Sequence, residues 1–189
     1  MADNEKALIA RAKKGDAEAF AALYDRYLDP IYRFISLKVT GREAAEDLTH
    51  EVFLVGWQKL PLYREYGLRF SSWLYRIARN KVIDHYRRER PSESLETAEE
   101  AKLAAAASTP MEEVEHRLGI EHVRACLRFL NEDQRDVVIM RFIEGLTHEE
   151  IAEIVGKSEG AVRLIQHRAL DNLRGFMNTN GHIQRVEES

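Results

Sequence analysis

The sequence predicts an all-α protein made of two small helical domains joined by a flexible acidic linker. The second domain is predicted as a four-helix unit with a helix-turn-helix and no wing. Three observations carry this prediction. Apolar residues recur at steps of three and four, the spacing of one helix face, and no stretch alternates as a half-buried strand does. The 10 glycines and 4 prolines fall mostly between these periodic segments. Residues 91–110 are acidic, alanine-rich and nearly devoid of large apolar groups, so their burial cannot offset the entropy of ordering them. A linker over 91–117 then separates domains at 7–90 and 118–176.

The elements follow in order. Phe20, Leu23, Tyr24, Tyr27, Ile31, Phe34 and Ile35 mark the apolar face of a helix interrupted by Pro30. Either Asp29 caps a new helix with Pro30 in its first turn, or one helix continues with a kink. Thr40 and Glu43 have capping-box spacing and start a helix that runs to about Leu60, where Pro61 ends it. Leu62 to Leu68 read as a loop. Ser71 or Ser72 caps a third long helix from Trp73 to about Arg88. After the linker, whose alanine run has helical propensity, Ile120, Val123, Leu127 and Leu130 form another apolar stripe. Asn131 with Gln134 caps a helix carrying Val137 through Ile143, and Gly145 breaks it. Thr147 and Glu150 open a short helix that stops at Gly156, and Ser158 caps a last one through about Phe176. The tail beyond is polar and predicted to fray.

Composition narrows the classes. The chain has 189 residues, enough for one or two domains, and 44% are hydrophobic. No apolar run approaches the length of a membrane span, so no membrane insertion is expected. The first residues lack a basic start followed by an apolar stretch, so no signal peptide is expected. The single cysteine, Cys126, can form neither an internal disulfide nor a thiolate zinc site. These features suit a cytoplasmic protein. No metal constellation, nucleophile pair or glycine-rich phosphate loop stands out, so no cofactor and no catalytic activity is expected.

Net charge is −4 at pH 7, which argues against a uniformly basic nucleic-acid binder. Its distribution says more. Residues 64–90 carry +5, residues 91–118 carry −5, residues 119–156 carry −4 and residues 157–189 carry +1. Two positive stretches flank an acidic middle.

Three segments carry chemistry. In Thr147–Leu173, Ala152 allows two helices to cross closely, Gly156 supplies the turn, and Val162 packs the second helix back on the first. Such a helix enters the major groove, presenting Arg163, Leu164, Gln166, His167 and Arg168; Arg can pair with guanine and Gln with adenine. Lys157 and the Ser158 end can approach phosphate. A helical hairpin with a merely solvated face is the plainer alternative, but three constraints coincide here. In Phe70–Arg90, Arg76, Arg79, Lys81, Arg87, Arg88 and Arg90 can neutralise phosphates. Trp73, Tyr75 and Tyr86 offer stacking faces for unpaired bases. Asn80 and Asp84, one turn apart, can read a base edge, while Leu74 and Ile77 read as core. In Ala45–Gln58, Ala45, Leu48 and Val52 can pack inward. Glu46, Asp47 and Glu51 then line an acidic outer face with Phe53 and Trp57 beside it, a surface for a partner helix. Taken alone, that segment is an ordinary amphipathic helix.

In this order and spacing the segments resemble the extracytoplasmic-function sigma factors of bacterial RNA polymerase, over about residues 7–90 and 118–176. Asp47-Leu-Thr-His-Glu-Val-Phe53 is similar to the family's core-polymerase-binding segment. Phe70-Ser-Ser-Trp-Leu-Tyr-Arg-Ile-Ala-Arg-Asn80, with Asp84 and Arg87-Arg88, resembles its promoter-melting and −10-reading helix. Leu146 to Ala152, Gly160 to Arg163 and Arg168-Ala169 resemble its −35-reading helix-turn-helix.

The resemblance implies a non-catalytic initiation subunit. Its implied partners are core RNA polymerase, promoter DNA and an anti-sigma factor, which can hold the protein at the membrane. It implies core binding through Asp47, Leu48, Glu51, Val52, Phe53 and Trp57. It implies −10 contacts from Trp73, Arg76, Arg79, Asn80, Lys81, Asp84, Arg87 and Arg88. Contacts with the −35 element are implied for Lys157, Ser158, Arg163, Leu164, Gln166, His167 and Arg168. Two positions depart from the family pattern: His50 stands where Gln is usual, and Ala161 where Thr or Ser is usual. A stand-alone regulator with a sensory first domain fits less well, because such a domain has no need of the basic aromatic helix. An RNA-processing enzyme lacks an acidic catalytic cluster beside that helix.

Overall fold

The computed structural model describes the backbone of residues 2–64, 69–89 and 121–187, and the side chains of 4–64, 69–88 and 121–177. The predicted linker over 91–117, most of the loop before the third helix, Ile120 and Arg90 lie outside these residues. Among the described residues the chain is helical, with no strand. The first unit comprises α1 (Ala2–Ala12), α2 (Ala17–Ser36), α3 (Arg42–Lys59), a 3-10 turn (Leu60–Leu62) and α4 (Phe70–Glu89). The second comprises α5, described over 121–127, α6 (Glu132–Val138) with a π-helical turn (Ile139–Ile143), α7 (His148–Val155) and α8 (Glu159–Glu187).

Helix α1, with Ile9 and Ala12 buried, is an element that the periodicity did not single out. Asp16 starts α2 by accepting the Ala19 amide at 3.0 Å. Pro30 does not restart the helix. α2 is continuous through it, because Leu23, Ile31, Phe34 and Ile35 on one buried face hold the two halves in register. Asp29 is therefore not a cap.

Helix α3 also starts otherwise than predicted. Gly41, at φ 90°, occupies its N-cap and no side chain caps it, so the Thr40–Glu43 box does not form. Leu37, Lys38 and Val39 turn inward just before, and only a glycine takes this backbone without strain at the exit. Helix α4 begins at Phe70 rather than Trp73. Phe70 is buried against Tyr27, Tyr63 and Trp73, which draws the first turn into the helix. Ser72 is consequently buried with its hydroxyl unpaired, and does not cap.

The second unit follows its local signals closely. Asn131 and Gln134 form a complete capping box on α6, and Thr147 and Glu150 form another on α7. Gly156 closes α7 in the left-handed region at φ 69°. The end of the α6 segment is π-helical, with the Glu144 amide donating to the Ile139 carbonyl at 3.0 Å. This wider turn buries both Ile139 and Met140 while leaving Phe142 exposed. Val123, expected on the apolar stripe, is exposed instead, whereas Leu127 and Leu130 are buried. α8 runs well past the predicted stop at Phe176.

α4 packs on α2 and α3 and, across the molecule, on α7. The buried apolar side chains of the two units form one contiguous cluster.

Candidate nucleic-acid interface

Helix α4 is tilted so that its buried stripe is Phe70, Leu74, Tyr75, Ala78 and Val82. The remaining face presents Arg76, Asn80, Asp84, Arg87 and Arg88 to solvent. Arg87 lies 3.8 Å from Asp84, and Lys81 donates to Glu51 of α3 at 2.7 Å. Two expected stacking rings are committed to the interior. Trp73 is half-buried, its ring 5.0 Å from Tyr63. Tyr75 is buried edge-on to Phe34 at 5.5 Å and donates its hydroxyl to Glu144 at 3.0 Å. Burial, then the Glu144 charge, pushes the Tyr75 hydroxyl far above its ordinary pKa. Tyr86 keeps an exposed ring and donates to the Lys38 carbonyl at 2.6 Å.

Arg79 is the exception among the basic residues of this face. Its guanidinium donates to Asp136 at 2.7 Å and to Asp133 at 3.1 Å, both on α6. Burial disfavours its charge, yet the Asp136 carboxylate, with Glu132 and Asp133 nearby, raises its pKa above the usual arginine value.

Helix α3 faces the acidic side expected, with Asp47 and His50 exposed, Glu46 bonded to Arg42 at 2.6 Å and Glu51 held by Lys81. Leu48 and Val52 pack inward as the spacing suggests, and Phe53, expected beside the acidic face, joins them in the core; it is 4% exposed, with its ring 4.6 Å from Tyr24. They support the helix from inside and are closed to a partner in this fold. Trp57 is half-buried on Phe20, with ring centroids 4.8 Å apart. The large apolar residue of α3 that reaches solvent is Leu54, 57% exposed, a position its spacing does not distinguish. In a run as apolar as Val52-Phe-Leu-Val55, spacing alone does not say which side is covered.

In the second unit α7 and α8 form the helix-turn-helix. Ile151 and Ile154 meet Val162 and Ala169 in the core, and half-buried Ala152 packs against them. Arg163, Leu164, His167 and Arg168 are exposed along α8. Arg163 is bonded to Glu159 one turn back, and His167 lies 3.0 Å from Asp171. Ser158 uses its hydroxyl to accept the Ala161 amide at 3.2 Å, as an N-cap. Lys157 pairs with Asp133 at 3.2 Å. Gln166 does not point outward with its neighbours. It is half-buried against α7, its amide oxygen 2.7 Å from the His148 ring. It is placed to fix the two helices together rather than to read a base edge.

Residues 23–91 match the sigma-70 region 2 family and residues 126–175 the sigma-70 region 4 family. The chain is 37% identical over 166 residues to the ECF RNA polymerase sigma factor BldN of Streptomyces coelicolor, covering 88% of this chain and 63% of that protein's length. It is 32% identical over 177 residues to the ECF RNA polymerase sigma factor SigD of Mycobacterium tuberculosis, covering 89% of this chain and 81% of that one. Its fold matches the solved structure of CnrH in complex with the cytosolic domain of CnrY, with a TM-score of 0.74, 23% identity, and coverage of 93% of this chain and 98% of that one. It also matches the sigma factor RpoE in complex with the anti-sigma factor NepR from Bartonella quintana, with a TM-score of 0.62, 21% identity, and coverage of 86% and 98%. Two sigma-70 regions in order, with no strand among the described residues, thus agree with the relatives: the chain belongs to the ECF RNA polymerase sigma factors.

Proposed function

We propose that this chain binds core RNA polymerase and directs promoter-specific initiation, its first unit (7–90) reading and melting the −10 element and its second (118–176) reading the −35 element. The observation that carries this reading is the pairing of an exposed basic face on α4 with a fully formed helix-turn-helix on α7 and α8. Arg76, Asn80, Lys81, Asp84, Arg87 and Arg88 take the −10 contacts, with Arg79 joining once it leaves its carboxylates. Trp73 braces the start of α4. Arg163, Leu164, His167 and Arg168 meet the −35 major groove, and Lys157 and the Ser158 end of α8 approach phosphate. Asp47 and Glu51, with Leu54 and the edge of Trp57, form the polymerase-docking side of α3. The chain acts without chemistry of its own, in the bacterial cytoplasm where polymerase works. Among the described residues no helix is long and apolar enough to cross a membrane. An anti-sigma factor is its proposed regulator, by likeness to the sigma factor RpoE solved with NepR.

Reconstitution tests the reading. Promoter-specific transcription from double-stranded DNA should require both this chain and core polymerase. Tight operator binding by the chain alone, without association with core polymerase, would overturn it.

A further inference from the structure

The two units are held together by ion pairs of one polarity. Arg33 forks onto Glu144 at 2.8 and 3.0 Å, and Arg69 meets Glu150 at 2.5 Å. Lys38, with its side chain 1% exposed, is bonded to the fully buried Asp136. Arg79 shares Asp136 with it and also takes Asp133. In each of these pairs the cation belongs to the first unit and the carboxylate to the second. Two of these cations, Arg69 and Arg79, come from the +5 segment 64–90, and all of the carboxylates from the −4 segment 119–156. Asp133, in the first turn of α6, also engages the second unit's own DNA side, holding Lys157 at 3.2 Å.

We propose that the acidic side of α6, Asp133 and Asp136, acts as an internal stand-in for promoter phosphate, so that the closed chain and the promoter-bound chain compete for Arg79 and Lys157. The inference rests on the DNA-contact role given to those two residues above. Its physics is an exchange of anions. A cation buried against carboxylates cannot be left unpaired at low cost, but it can pass to another anion or to water as the units part. DNA offers such anions at high density, with release of its counterions. An internal competitor of this kind lowers the affinity of the free chain for DNA. It makes opening of the two units, by polymerase or by DNA, a step in acquiring the promoter.

The test uses the full chain in a Cys126→Ser background with labels on Leu62→Cys and Met177→Cys, both at exposed positions, one in each unit. Inter-unit distance is read by energy transfer, and DNA affinity by titration with a fluorescent single-stranded oligo-dT at low salt. Asp133→Asn with Asp136→Asn is the main variant. Because Asp136 is buried, Glu132→Gln with Asp133→Asn, both nearer the surface, repeats the test without disturbing the core. Glu18→Gln with Asp25→Asn, at exposed positions on α2, makes the same change of net charge away from the contact. Both α6 pairs should lengthen the inter-unit distance and raise oligo-dT affinity about fivefold or more, the lower range of ordinary coupling between sites. The α2 pair should leave the distance unchanged and raise affinity less. Unchanged distance in both α6 pairs overturns the latch and leaves the DNA reading standing. Opening without any gain in affinity overturns the competition. An equal gain from the α2 pair shows bulk charge alone and likewise overturns it.

Discussion

Arg163 and Phe53 show how much a single side chain's surroundings decide. Arg163 stands exposed on α8 and is tied only to Glu159, an exposed neighbour whose pairing contributes little in water. Its guanidinium is therefore free to exchange onto a base edge. Arg163→Ala should weaken binding to a cognate −35 duplex by about 1–3 kcal/mol and blunt discrimination at one base pair. An unchanged −35 preference in a competition assay against mutated duplexes rejects the role. Phe53 is the opposite case. Buried and packed on Tyr24, it should act on folding rather than docking. Phe53→Ala should lower the unfolding free energy by about 3–5 kcal/mol in urea titrations. A stable variant that failed only to bind core polymerase would return Phe53 to the docking surface.

At the scale of the element, α3 and α7 illustrate a surface helix and a capped one. The acidic side of α3 has one carboxylate in solution at Asp47 and one on Lys81 at Glu51. Since Asp47 is exposed and Glu51 only half-buried, reversing their charge does not reach the core. Asp47→Lys with Glu51→Lys should abolish association with core polymerase while leaving the circular-dichroism spectrum as it is. Wild-type polymerase affinity in that variant excludes the acidic docking side. Helix α7 depends on Glu150, which accepts from the Thr147 amide at 2.8 Å and its hydroxyl at 2.9 Å and also faces Arg69. Burial pushes the Glu150 carboxyl up, but these donors outweigh it and hold the group below its ordinary value. A carboxylate whose pKa falls on folding stabilises the fold at pH above its unfolded value, roughly 4.3, and loses that effect as pH drops through the folded value. The stability gap between the protein and its Glu150→Gln variant should thus be constant near neutrality and close below that range. A gap independent of pH down to strong acid would show that the charge of Glu150 is not what caps α7.

The whole molecule joins two units whose apolar cores touch and whose facing surfaces carry opposite charge. Contiguous burial predicts one cooperative thermal transition for the closed chain. Glu144 is almost fully covered where Arg33 and Tyr75 meet it, so a like charge there opposes closure. Arg33→Glu should split the calorimetric trace into two transitions, one for each unit, with little loss of helix at low temperature. A single unsplit transition would mean that the apolar contact alone holds the units together.

Sequence alone determined the features that depend on near neighbours in the chain. The all-helical class, the two capping boxes, the glycine turn at Gly156 and the placing of basic residues on α4 and α8 all rest on interactions within a turn or two of helix. Those interactions persist whatever packs outside. Local spacing misjudged the start of α3, where a buried turn before Gly41 displaced a plausible cap, and of α4, where aromatic packing on Phe70 overrode two serines. It placed Val52 inward but left Phe53 outside, because every residue of Val52-Phe-Leu-Val55 is apolar and it is packing on Tyr24 of α2 that buries Phe53. Nor could it foresee that Gln166 would turn to His148, or that Arg79 would find carboxylates more than fifty residues away. Segment charge separated a basic helix from an acidic stretch beyond the linker but said nothing of their meeting. Which cations meet which carboxylates, and that two proposed DNA contacts are among them, was decided only by the tertiary structure. Long-range pairing depends on how whole helices dock, and docking is set by the shape of buried surfaces rather than by any local pattern of residues.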